Sequence, residues 1–190
     1  MPTTKAKPKS LDHALMLPGA PLPHLSEIAG REQQSTALKG FLDFLMARAE
    51  TPTELLSKSA TGLRRSLGFE FSAAYLTEPA GHALALVDVS GLPTDFAFQA
   101  RMVPLQDFAD VADLPYNGER PACYGDFFAA VASTFAIRSW LVSSLNAQDG
   151  RVLGAILLGS RDPHRMEREE AIQILSFAGI IAGELEKRFS

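Results

Sequence analysis

The feature that most constrains this chain is a pair of apolar segments, "IRSWLVSSL" (Ile137 to Leu145) and "RVLGAILLGSR" (Arg151 to Arg161), joined by "NAQDG". Asp149-Gly150 is a strong hairpin signal, because both residue types tolerate the positive φ that tight hairpin turns need. Within "AILLG" (Ala155 to Gly159) apolar residues stand at consecutive rather than alternate positions. A strand sends successive side chains to opposite faces, so such a run belongs to a sheet covered on both sides. The rest of the chain must supply two covering layers.

A final helix, expected from about Met166 to Arg188, provides much of one layer. Ala171, Ile174, Leu175, Ala178, Ile181, Ala182, Leu185 and Phe189 recur at helical spacing and form a wide apolar stripe. A second, smaller surface consists of Ile172, Ser176, Gly179, Ile180 and Gly183. Glycine inside a helix costs about 1 kcal/mol relative to alanine, so this pair, four residues apart, requires a compensating close approach. A membrane dimer motif has the same spacing. The run here is broken by Gln173 and Ser176 and flanked by "EREE" and "EKR", short of the roughly 20 apolar residues a span needs. No membrane is expected as a partner. The neighbour is then the chain's own helix at Leu38 to Ala49, the same helix of a second copy, or both in a dimer bundle.

Two helices precede the first strand. Leu38, Phe41, Leu42, Leu45, Met46 and Ala49 form one stripe that ends near Glu50. "TPTE" then opens the second helix, with Thr51 as cap, Pro52 at the first helical position and Glu54 bonding back. Leu55, Leu56, Ser59, Leu63 and Leu67 give its inner face, and Gly68 stops it. Strands are expected at Phe69 to Thr77, Ala83 to Ser90 and Phe98 to Leu105, the first two joined by "EPAGH". Gln106 to Phe135 is irregular, interrupted by Pro115, Asn117, Gly118, Pro121 and Gly125. Short helices are expected near Phe108 to Leu114 and in "DFFAAVASTF". A long mixed segment inside a domain is where binding residues concentrate.

The chain has 190 residues, 46% of them hydrophobic, and a net charge of -4, which fits one domain with an extension. That charge offers no polyanion-binding face, so nucleic acid is not expected as a partner. The one cysteine, Cys123, excludes an internal disulfide and a four-thiolate zinc site and fits a reducing, cytoplasmic setting. "ALML" before Pro18 is too short for the apolar region of a signal peptide. Residues 1–34, with Lys5, Lys7, Lys9, Pro18, Pro21 and Pro23, are read as a flexible N-terminal extension, and residues 35–190 as a single domain.

Three stretches carry a resemblance to a known family. "AIRSWLVSSL" (Ala136 to Leu145) resembles the Gly-Ile-x-Ser-x-Leu-x-Val-Pro-Leu strand of GAF domains. "GRVLGAILLGSR" resembles their Gly-x-x-Ile-Gly-Val-Leu strand, and "AIQILSFAGIIAGELEKRF" their closing helix. The match covers roughly residues 38 to 189. Departures are Ala136 where the family prefers glycine, and Ser143 and Ser144 where Val-Pro is usual. The resemblance implies an α+β fold, an α/β/α sandwich with a central antiparallel sheet of five or six strands. Terminal helices would cover one face, and an irregular pocket segment with short helices the other. It also implies a sensor of small molecules or a dimerisation module. The residues left over hold no kinase, cyclase or DNA-binding module, so the expected output is a change in partner binding.

Candidate chemistry is sparse. Relatives that attach a bilin use a Cys-His pair, whereas Tyr124 follows Cys123 here, so neither bilin nor haem is expected and no cofactor is required. Free methionine sulfoxide reductases of the family cycle through several thiols, and one thiol cannot resolve itself. The chain is read as non-catalytic, with a Cys123-dependent enzyme as the alternative. His82 and His164 lack a second ligand at usable spacing, so no metal site is expected. Glu167, Glu169 and Glu170 lie at a helix N-terminus, where negative charge offsets the dipole. Neither G-x-S-x-G nor a phosphate loop occurs.

The best candidate pocket combines an aromatic wall, Tyr124, Phe127, Phe128 and Trp140, with Asp126, Arg138, Ser143 and Ser144 to orient a polar ligand. The competing possibility is that the aromatic rings fill the space themselves, leaving a purely structural interaction module. The candidate dimer surface is Leu38, Phe41, Leu45, Ser176, Gly179, Ile180 and Gly183. On this reading an unidentified small molecule reorders Gln106 to Phe135, tilts the terminal helices and changes a homodimer interface or the contact with a signalling partner protein.

Overall fold

The computed structural model of the chain describes residues 36, 38–40, 43, 44, 47–109, 111–116, 125–163 and 168–189, with 125 and 126 described by backbone alone. Its strands are β1 (Phe71–Thr77), β2 (Ala83–Ser90), β3 (Met102–Pro104), β4 (Ser139–Asn146) and β5 (Val152–Ser160). They form one sheet in the order β3-β2-β1-β5-β4, and every neighbouring pair is antiparallel. The helices are α1 (Pro52–Leu67), α2 (Thr94–Gln99), α3 (Leu105–Ala109), α4 (Gly125–Thr134) and α5 (Arg168–Phe189). The described residues among 36–47 are also helical.

The consecutive apolar residues of β4 and β5 divide between two cores, as a doubly covered sheet requires. Leu141, Leu145, Ile156 and Leu158 face α1 and α5, where they meet Leu55, Leu56, Leu63, Ile174, Ile181 and Leu185. Trp140, Val142, Ala155 and Leu157 face the other way, into a layer with Phe71, Phe96, Phe128 and Phe135. Each fully buried Leu, Ile or Phe in such a layer contributes about 1.5–3 kcal/mol, and both faces of the sheet carry several. On the helical side α5 lies over β4 and β5, α1 over β1, β2 and β5, and the two helices touch each other.

Local signals act largely as read. The Thr51 hydroxyl accepts from Glu54 N–H at 3.1 Å, and Gly68 ends α1 in the left-handed region at φ 73°. The Glu54 carboxylate bonds back one residue earlier than expected, to Glu50 N–H at 2.8 Å. One expectation is corrected. Phe98 to Leu105 is not one strand: Thr94–Gln99 is helical, Met102–Pro104 is the strand, and Leu105–Ala109 is again helical. Burial of Phe96 against the aromatic layer fixes α2, and the chain returns to extended geometry only long enough for three residues to pair with β2.

Candidate functional site

The free edge of β4 is covered by a strap, residues 111–116. Ala112 bridges Val142 in parallel sense and Tyr116 bridges Trp140 in antiparallel sense, so the strap fills the sixth position of the sheet without being a regular strand. Asp113 N–H donates to Val142 O at 2.7 Å, Tyr116 N–H to Trp140 O at 2.8 Å, and Trp140 N–H to Tyr116 O at 3.0 Å. The change of sense takes place across Asp113, which adopts φ 63°. Aspartate visits this left-handed region more readily than most residues, at a cost of about 1–2 kcal/mol. The Asp113 carboxylate accepts from Ser144 N–H at 2.8 Å and from Ser144 Oγ at 2.5 Å. Asn146 Nδ2 in turn donates to Ser144 Oγ at 2.9 Å. A side chain thus does for the edge of β4 what a neighbouring strand would do.

Behind the strap the concave layer is aromatic. The Tyr116 and Trp140 rings are 4.6 Å apart between centroids, Trp140 and Phe128 5.9 Å, and Phe128 and Phe127 5.2 Å. Phe96 meets Phe135 edge-on at 5.3 Å. Trp140 and Phe96 are 0% exposed. Burial also pushes the Tyr75 phenol well above its ordinary pKa, which keeps it neutral. Among the described residues this layer is packed by its own side chains.

The sequence-derived pocket residues are only partly brought together. Phe127, Phe128 and Trp140 do form one cluster. Ser144 turns to the strap, but Ser143 alternates onto the opposite face of β4 with Leu141 and Leu145, buried beneath the helices, where its hydroxyl has no hydrogen-bond partner among the described residues. Arg138 is exposed and lines an open depression of about 360 Å³ with Tyr116, Ala132, Ser133 and Ala136. Ala136 has φ 53°, which is the physical reason a glycine suits this position. Tyr124 and Cys123 lie outside the described residues, as does the Asp126 side chain. Asp113 was not singled out from sequence; in "ADLP" it reads only as a turn former.

On α5, Ser176, Gly179 and Gly183 are exposed and Ile180 is half-buried. A Cβ built on either glycine would meet nothing within 4 Å. The Ser176 hydroxyl bonds to Ile172 O in its own helix at 2.9 Å, and Ile172 is 54% exposed. Leu38, expected on the interface, is instead buried in the core beneath the helices, packed among the same cluster as Leu55 and Leu185. Phe41 and Leu45 lie outside the described residues. A second depression, about 300 Å³, joins Asp113, Ser144 and Asn146 to Leu175 and Gly179 of α5. No helix among the described residues is long and apolar enough to cross a membrane, and no group of three or more His, Cys, Asp or Glu among them is placed to hold a metal ion.

Solved structures with the same arrangement of sheet and helices are GAF domains. The GAF domain from an Acinetobacter phosphoenolpyruvate-protein phosphotransferase superposes with a TM-score of 0.61 at 10% identity, covering 82% of this chain and 94% of that one. The fold is the GAF fold. The phycoerythrobilin-bound GAF domain from a cyanobacterial phytochrome gives a TM-score of 0.61 at 11% identity, over 83% of this chain and 97% of that one. The free methionine-R-sulfoxide reductase from Neisseria meningitidis gives 0.63 at 17% identity, over 93% and 97%. At such identities the likeness to the GAF structures is one of fold. No protein-family model matches the chain, and no curated protein matches it.

Proposed function

We propose that this chain is a non-catalytic regulatory domain of GAF fold, cytoplasmic, that acts as a homodimer through the outer face of α5 and relays a signal to a partner protein. One contrast supports the reading. Among the described residues the concave layer is filled by its own rings, with Trp140 and Phe96 fully buried, whereas α5 leaves Ile172 exposed beside two glycines whose Cβ positions face open space. Nothing among the described residues offsets the helix-propensity cost of those glycines, and close approach by a second α5 would.

Cross-linking tests it in a Cys123→Ser background. A short bifunctional maleimide is expected to link Gly179→Cys into dimers and to leave Gln99→Cys, on the far side of the sheet, monomeric. Equal linking of both, or of neither, overturns the reading. The small-molecule site of this reading is the open depression of Tyr116 and Arg138. A ligand there would act by preferring one arrangement of the terminal helices. It would raise the melting temperature by mass action, and Arg138→Ala would abolish the shift. Turnover of free methionine sulfoxide by the parent, lost in Cys123→Ser, would establish the catalytic alternative.

A further inference from the structure

We propose that the strap 111–116 is a latched flap that gates the aromatic layer, with Asp113 as the latch and Tyr116 as the leaf. Three features lead there. Among the described residues the strap is joined to β4 by two isolated bridges rather than a continuous ladder. Its corner is held by side chains: the Asp113 carboxylate grips Ser144 N–H and Oγ, braced by Asn146. Asp113 also sits at φ 63°, a conformation that is costly even for an aspartate and is offset here by its contacts with Ser144.

What the flap covers is specific. Tyr116 packs at a tilt against Trp140, and Trp140 contacts Phe128 of α4, so the leaf lies directly against the largest fully buried side chain among the described residues. The same corner shares a depression with Leu175 and Gly179 of α5. The flap therefore borders both the aromatic interior and, across that depression, the helix face assigned to dimerisation. It does not depend on that assignment, since the latch and the Tyr116–Trp140 contact lie within one chain.

The chain has a single tryptophan, so the fluorescence comes from Trp140 alone. Asp113→Gly removes the latch while tolerating the φ, and Asp113→Asn retains one acceptor. In Asp113→Gly, amide exchange at Tyr116 and Trp140 is expected to speed up at least about tenfold under conditions where the β1–β5 amides are unchanged. Acrylamide quenching of Trp140 should rise in parallel, and Asp113→Asn should fall between variant and parent. Faster exchange confined to Ser144, with Tyr116, Trp140 and quenching as in the parent, would show that Asp113 is only a local cap. If Asp113→Gly does not fold, Asp113→Asn decides by the same two readouts, and an unchanged Asp113→Asn overturns the latch. Dimerisation is scored separately by sedimentation, so a monomeric parent would leave this result standing.

Discussion

Asp113 holds Ser144 at two points, taking its backbone N–H at 2.8 Å and its hydroxyl at 2.5 Å. A carboxylate spanning both groups ties the strap to the edge of β4 where no strand is available to do so. Ser144→Ala removes the hydroxyl contact, keeps the backbone one and leaves Asn146 without its acceptor. For a half-buried bond to a charged group the expected cost is about 1–2 kcal/mol. Urea unfolding of parent and variant measures it, and an unchanged midpoint would mean that water replaces the hydroxyl.

Ala136 is the second non-glycine residue in the left-handed region, at φ 53°. Ala136→Gly removes the Cβ clash and is expected to stabilise the fold by about 0.5–1 kcal/mol, net of the extra freedom glycine has when unfolded. A higher urea midpoint at constant slope is the predicted result. A lower one would show that the strain is smaller than the entropy cost.

These two positions also mark where sequence was informative. Both covering layers were readable from the unbroken apolar run of β5, because burial on both faces leaves no other pattern, and the Thr51 cap and Gly68 stop bounded α1 by local chemistry. Ala136 stood out against the glycine of the resembling strand, and its φ gives the reason. Asp113 did not, since its partners lie 31 residues away and no local periodicity encodes them. The strand expected from Phe98 loses its first residues to α2, because the burial of Phe96, which no local pattern announces, selects the helix. Ser143 and Ser144 looked equivalent in sequence, yet strand alternation sends them to opposite faces.

Glycines of the sheet and of α5 should respond in opposite ways. A Cβ on Gly154 would lie 2.3 Å from Tyr75 O of the neighbouring strand, where backbone must move. Gly154→Ala is expected to destabilise by more than about 2 kcal/mol. Gly179→Ala meets open space and should stabilise an isolated protomer by up to about 1 kcal/mol through helix propensity. Unfolding at a concentration low enough to keep protomers apart makes the comparison; destabilisation by both would contradict the packing described.

Acid should weaken one tie between β5 and the start of β1. Partial burial pushes the Glu70 carboxyl up, but hydrogen bonds from Ser160 Oγ and from the Arg161 side chain and backbone outweigh it, and the net pKa is lowered. A carboxyl lowered on folding contributes stability above its unfolded pKa, near the ordinary value of about 4.3, and loses it as pH falls through the folded value. Glu70→Gln should therefore melt below the parent at pH 7 and converge with it near pH 2.5. A constant difference across that range would mean the tie is not ionic.

The central claim, that the outer face of α5 joins two copies, is tested most directly by sedimentation equilibrium of the parent and of a Gly179→Leu, Gly183→Leu variant. Leucine is the better helix former, so the variant protomer should be the more stable of the two while its side chains hold the second helix away. The account predicts a dimeric parent and a variant whose dimer is at least about tenfold weaker, a difference of about 1.4 kcal/mol. A monomeric parent, or a variant dimer as tight as the parent's, would contradict it.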